Sequence, residues 1–211
     1  MEDLINEYGK LKTRIRARLR EFNQVGQESD ERIFEEMVFC LCTPQSNAKS
    51  CFTAVTDLAR SKILLKGDEI DISKKLRGYV RFHNNKSKYI IGARQTFSDD
   101  TGKLRIKERL SHQEPLALRE WLVRNIKGFG YKEAGHFLRN IGRGNNLAIL
   151  DRHILKNMIR YGVIHQIPKT LTQKTYLDIE DKLREFSRQI NIPMAELDLL
   201  FWYKETGEIF K

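Results

Sequence analysis

Apolar side chains recur along this chain at helical spacing, and strand-like alternation is nearly absent. Over residues 2–22, Leu4, Ile5, Tyr8, Leu11, Ile15, Leu19 and Phe22 stand three and four apart with basic residues between them, the pattern of an amphipathic helix. Gly26 breaks it. Ser29 reads as the N-cap of the next helix, with Asp30 and Glu31 in the favoured first turn. That helix runs through Phe34, Met37, Val38 and Leu41 and is apolar almost all round near its end, which predicts a central position. Residues 69–97 predict two shorter helices around Arg81–Lys86. Ser111-x-x-Glu114 followed by Pro115 predicts a capping box that opens a helix through Trp121 to Ile126. Further helices are expected to about Ile141, from Asp151 to near Gly162, over 174–190, and from Pro193 to Gly207. With no long Gly/Ser/Pro linker and no internal repeat, the expected fold class is all-α with two helical lobes. One lobe is expected to hold residues 1–27 and 111–211 with both termini, and the other residues 28–110.

Between the helices ending at Ile126 and beginning near Lys132 lies IKGFGYKEAG, residues 126–135. The Gly128-Phe129-Gly130 turn joins helix to helix rather than strand to helix, which argues against a P-loop or a dinucleotide fingerprint. Glycines allow a tight turn and a close approach of backbone to ligand. Amides of residues 128–132 at a helix N-terminus form a ready anion site that fits a phosphate without sequence readout. A plain helix–helix turn explains the glycines equally well. Lys127 suits phosphate contact or solvation. Lys132 is the odd one: in the first turn it faces the positive end of the helix dipole, a poor place for a stabilising cation. The same placement favours a neutral amine, which is a nucleophile able to form a Schiff base. A side chain swinging out into water is the alternative. Asp151 reads first as an N-cap. Because it follows the apolar run Leu147–Leu150, it can also project from a buried wall, where a carboxylate would stabilise a cationic sugar and assist proton transfer. The polar elbow Thr43–Asn47 has two readings, helix capping or a tip that enters a DNA duplex.

Charge narrows the partners. Lys and Arg number 38 against 28 Asp and Glu, for a net charge of +10. This favours a polyanion, nucleic acid before an anionic membrane surface. Cys40, Cys42 and Cys51 sit in one apolar stretch without Cys-x-x-Cys spacing or a spaced His, which argues against zinc or iron–sulfur and for buried thiols in a reducing compartment. The start MEDLINEYGK lacks the apolar segment of a signal peptide, and no apolar run approaches membrane-spanning length. A soluble, intracellular, nucleoid-associated protein with no membrane partner is expected.

The stretch NIKGFGYKEAGHFLRNIG followed by LAILDRHIL resembles the helix-hairpin-helix DNA glycosylases that carry a Gly/Pro-rich loop and an aspartate. Within that superfamily, EEMVFCLCTPQSNA, RFHNNKSKYIIGAR, IPKTL and DLLFWYKETGEIFK follow in the order of the archaeal-type 8-oxoguanine DNA glycosylase/lyases. The resemblance implies that Lys132 is the nucleophile and Asp151 the essential carboxylate. It implies phosphate contacts from the amides of Gly128, Gly130 and Lys132, with His153 near the DNA backbone and a monovalent cation on the hairpin carbonyls. It makes the terminal carboxylate of Lys211 a recogniser of the oxidised base, with Phe82 and Trp202 as aromatic neighbours. The elbow would fill the gap left by the extruded base, with Gln45 and Asn47 as candidates, although Pro44 and Gln45 depart from the group's usual small and aromatic residues. The absence of a four-cysteine cluster separates the chain from the endonuclease III branch.

The tail makes independent physical sense. 8-Oxoguanine bears a hydrogen at N7 where guanine has a lone pair, so a carboxylate acceptor separates the two by about 1–3 kcal/mol per lost polar contact. The expected enzyme is a monomeric, bifunctional 8-oxoguanine DNA N-glycosylase and AP lyase acting on double-stranded DNA, with the helix-hairpin-helix at its DNA-binding cleft. It would flip the lesion out, and its chemistry would need no metal or redox cofactor. The alternatives are a non-catalytic helix-hairpin-helix DNA-binding module, or a helical protein-interaction domain with a basic surface.

Overall fold

A computed structural model describes residues 1–111 and 113–211. Among these the chain is all-α, with helices α1 (Glu2–Val25), α2 (Asp30–Cys42), α3 (Ala48–Arg60), α4 (Ile63–Lys66), α5 (Glu69–Leu76), α6 (His83–Phe97), α7 (Ile106–Ser111), α8 (Pro115–Asn125), α9 (Tyr131–Asn140), α10 (Arg152–Arg160), α11 (Gln173–Gln189) and α12 (Met194–Thr206). The β pairing among the described residues is a single isolated bridge between Ser98 and Leu104. No described helix is long and apolar enough to cross a membrane. The chain divides into two compact units, residues 27–137 and residues 1–26 with 138–211. The division falls inside α9, later than the boundary at 110/111 expected from sequence.

In the unit of residues 27–137, α2 is the centre. Ile33, Phe34, Met37, Val38, Phe39 and Leu41 are all buried, and so are Cys40 and Cys42 at its end. Such an all-round apolar helix can be stable only inside a layer of others, and α3, α6 and α7 pack against it. Its start is capped by Ser29, whose hydroxyl accepts from the Arg32 amide at 3.3 Å. Asp30 accepts from the Lys107 amide at 2.7 Å and so ties the entry of α2 to α7. The three thiols are buried. Burial pushes Cys42 above the ordinary thiol range and Cys51 up to about 11.

The capping box expected at Ser111 does not form. Ser111 is the last residue of α7, and its hydroxyl donates back to Glu108 O at 2.8 Å. Glu114 is itself the N-cap of α8, with Pro115 in the first helical turn. The helix begins where the proline permits, so serine and glutamate are left on separate elements.

In the unit formed by both ends of the chain, α12 packs against α1, α10 and α11. The stripe read from residues 2–22 is the buried face of α1: Leu4, Tyr8, Leu11, Ile15 and Phe22 are inside. Burial of such side chains is worth about 1.5–3 kcal/mol each. Ile5, expected on that stripe, is 45% exposed and stays on its rim. Gly26 ends the helix where Ile141 O approaches so closely that a Cβ would lie 2.3 Å from it. Buried polar groups are paired across the helices. Tyr8 donates to Glu196 at 2.5 Å, and Arg16 Nε donates to the same carboxylate at 3.1 Å. Arg139, 2% exposed, meets Asp198 at 3.3 Å, with its guanidinium over the Phe22 ring.

Candidate active site

The hairpin is built as its glycines require. After α8 the chain is closed by Phe129 N–H donating to Ile126 O at 3.0 Å. Gly128 has φ +96°, and a Cβ there would lie 2.5 Å from Tyr89 Cδ2, so any other residue would be strained and would force the ring to shift. Lys127 is exposed, with its ammonium 5.9 Å above the same Tyr89 ring. Phe129 turns inward against Phe137 at 6.2 Å between centroids and anchors the turn. The Gly130 amide donates to Glu133 Oε2 at 3.1 Å. Two amides of the expected phosphate clamp, Phe129 and Gly130, thus already serve the turn, and a phosphate at Gly130 would displace Glu133.

Lys132 stands in the first turn of α9 with its side chain 21% exposed, so it does not swing free into water. Its Nζ donates to Thr43 Oγ1 at 3.3 Å and lies 3.6 Å from Glu133 Oε1. The Thr43 hydroxyl gives its own proton to Cys40 O at 3.0 Å. It therefore meets the amine only as an acceptor. This is a lysine with defined orientation in a partly dry setting.

The elbow that carries Thr43 continues through Gln45, which is exposed and has φ +57°. Asn47 is exposed too, but its side chain accepts from Ser50 N at 3.1 Å and caps α3. Of the two expected gap-filling residues, Gln45 is the outward tip and Asn47 is engaged in capping. Phe82 shares the left-handed backbone, with φ +57°, and is 51% exposed with the Arg81 guanidinium 5.3 Å from its ring.

In the unit formed by the chain ends, the apolar run Leu147–Leu150 is buried and held by α11. Tyr176 OH donates to Ala148 O at 2.7 Å, and Glu180 accepts from Ala148 N at 2.7 Å. Asp151 follows directly, half-buried, as the N-cap of α10. Its Oδ1 accepts from the amides of His153 at 2.8 Å and Ile154 at 2.9 Å. The cap fixes the carboxylate and leaves its other oxygen outside that pair of bonds. His153 meets Trp202 edge to face at 5.1 Å. Glu205 binds Lys156 at 2.5 Å and Arg160 at 3.3 Å, which fastens α10 to α12. The C-terminus is not frayed. Lys211 is 6% exposed, and the preceding Phe210 O accepts from Arg18 Nε at 2.6 Å.

Residues 15–192 match the family model described as 8-oxoguanine DNA glycosylase. The chain belongs to the 8-oxoguanine DNA glycosylase family. An 8-oxoguanine DNA glycosylase/AP lyase of Fusobacterium nucleatum is 44% identical over 206 residues, covering 97% of this chain and 94% of that protein. A crystal structure of the Methanocaldococcus jannaschii 8-oxoguanine glycosylase/lyase in complex with 15mer DNA containing 8-oxoguanine superposes with a TM-score of 0.86. It is 36% identical and covers 99% of both chains. The 8-oxoguanine DNA glycosylase of Thermotoga maritima gives a TM-score of 0.87 at 32% identity, covering 100% of this chain and 97% of that one. In this family member the helix-hairpin-helix is α8, the Gly128–Gly130 turn and α9. Sequence reasoning missed three residues around its lysine: Thr43, Glu133 and Lys86. Thr43 and Glu133 are short polar contacts that only the fold reveals. Lys86 lies inside a stretch that carried the resemblance, but at the start of a helix it reads as a solvated cation.

Proposed function

We propose that this chain is a base-excision-repair DNA glycosylase that removes 8-oxoguanine through a lysine Schiff base and then cleaves the strand as an AP lyase. The observation that carries this reading is the setting of Lys132. Its amine is held by a hydroxyl acceptor and a carboxylate at the start of α9, in a member of the 8-oxoguanine DNA glycosylase family. Its partner is duplex DNA containing 8-oxoguanine, and the enzyme works as an intracellular monomer.

The damaged nucleotide leaves the duplex, and Gln45 fills the gap. Lys132 Nζ bonds to C1′ of the sugar as the C1′–N9 bond breaks. The electron pair leaves with the base, which takes up the proton that the amine loses. Thr43 holds one N–H of the amine before it attacks and so limits its rotation. Asp151 is assigned the carboxylate that stabilises positive charge on the sugar, and its cap bonds keep it oriented. Ring opening gives the imine, and loss of the proton next to it expels the 3′ phosphate in a β-elimination. Water then frees the lysine. Trp202 and Phe82 are assigned to pack against the base, and the carboxylate of Lys211 to accept from N7–H. Gly128, Gly130, Lys127 and His153 are assigned to the DNA backbone, the Gly130 amide by exchange with Glu133.

The test is a duplex with one 8-oxoguanine. The protein should release the free base and leave the unsaturated aldehyde end of β-elimination. Binding with neither product would establish the non-catalytic module instead.

A further inference from the structure

Lys86 lies in the first turn of α6 and is 4% exposed. Its Nζ donates to Cys42 O at 2.7 Å, Pro44 O at 2.7 Å and Ser46 Oγ at 3.2 Å. An ammonium has three protons to give, and all three go to one short stretch between α2 and α3. Cys42 O belongs to the last turn of α2, where carbonyls lack helical partners and the dipole favours a cation. The other two acceptors flank Gln45, the exposed tip with φ +57°. A non-glycine residue in that conformation costs about 1–2 kcal/mol and persists only where its surroundings over-determine it. Ser46 Oγ also accepts from Arg81 N at 3.0 Å, a second tie on the same elbow. Next to Pro44 stands Thr43, whose hydroxyl meets Lys132 Nζ. The elbow thus leads outward to Gln45 and inward to the nucleophile, and Lys86 clamps it between the two.

Burial pulls the Lys86 ammonium below the ordinary lysine range, and its three hydrogen bonds offset that cost. A methionine would fill similar space but would take this donor away from all three acceptors. What the ammonium alone supplies is a fixed elbow. We infer that Lys86 is a positioning residue for the reaction: it holds the Thr43–Asn47 elbow so that Gln45 is presented to the duplex and Thr43 to Lys132. The inference rests on the functional reading above and adds that gap filling and lysine alignment depend on one rigid element.

The experiment compares the wild-type chain with Lys86→Met in two rates. One is the unstacking of 2-aminopurine placed beside 8-oxoguanine in a duplex. The other is formation of the borohydride-trapped adduct on a preformed abasic site. Active-site titration counts the competent fraction. Both rate constants should fall about tenfold, as expected for loss of a charge-assisted hydrogen bond, while the titrated amplitude stays at the wild-type value. A lysine needed only for folding would lower the amplitude and leave both rate constants in place, which overturns the inference. A loss confined to one rate also overturns it, because the elbow would then not link the two tasks. If Lys86→Met does not fold, Ser46→Ala removes one acceptor and keeps the lysine. Both rates should then fall about threefold, and wild-type rates would refute the clamp. Absence of a wild-type adduct would refute the functional reading and this inference with it. An adduct with unchanged rates in the variants refutes this inference alone.

Discussion

Asp151→Asn separates capping from chemistry, because the cap uses one oxygen and asparagine keeps an oxygen there. Oδ1 accepts from the His153 and Ile154 amides at 2.8 and 2.9 Å. Asparagine is as good an N-cap as aspartate, so the helix loses only the charge component, about 0.3–1 kcal/mol at a helix N-terminus. Asp151→Ala removes the acceptor altogether and should lose about 1–2 kcal/mol. If the carboxylate stabilises a cationic sugar, its neutralisation should act as the loss of one preorganised electrostatic group, about 2.7–4 kcal/mol or 10²–10³-fold in rate. Single-turnover release of 8-oxoguanine, urea denaturation and DNA affinity measured on the same preparation resolve these contributions. The expected result for Asp151→Asn is near-native stability and retained binding, with base release slowed at least a hundredfold. Normal single-turnover release in Asp151→Asn would show that the residue is a cap and nothing more.

Three further outcomes follow from the structure. Gly128→Ala should lose about 2–5 kcal/mol in urea unfolding, from left-handed strain and the clash with Tyr89; an unchanged midpoint would contradict the hairpin geometry. The Tyr8 phenol is pushed up to about 12 by burial and by its hydrogen bond to Glu196, so its contribution to stability is complete below pH 10 and lost as pH rises through about 12. Alkaline melting curves should show this loss in the wild type and lack it in Tyr8→Phe. Residues added after Lys211 should reduce the preference for 8-oxoguanine over guanine by about 1–3 kcal/mol, read as the ratio of excision rates, and an unchanged ratio would remove the terminal carboxylate from base recognition.

Much of the fold was legible because its helices are bounded by residues that act locally. Ser29 and Asp151 cap helices as their side chains dictate, and the hydrophobic stripe of α1 is the buried face. The local rule failed at Ser111, where a serine and glutamate at capping-box spacing were divided between two helices. In the hairpin, spacing alone did not reveal that Glu133 occupies the Gly130 amide. Lys132 was visible as a misplaced cation, but its acceptor Thr43 comes from a distant part of the chain. Lys86 was hidden for the same reason: its three acceptors are 40 to 44 residues away, and nothing in a helical pattern marks a lysine as buried. Gln45 looked only unusual in sequence; its left-handed backbone and exposure mark it as the tip of the elbow.

The assignment of Lys132 as nucleophile is tested most directly by locating the covalent bond. Wild-type protein is reduced with borohydride on an 8-oxoguanine duplex and digested, and the peptide carrying the sugar remnant is sequenced by mass spectrometry. The remnant should sit on Lys132, and Lys132→Gln should give no adduct while still binding the duplex. A remnant on another lysine, or an undiminished adduct in Lys132→Gln, would contradict the assignment.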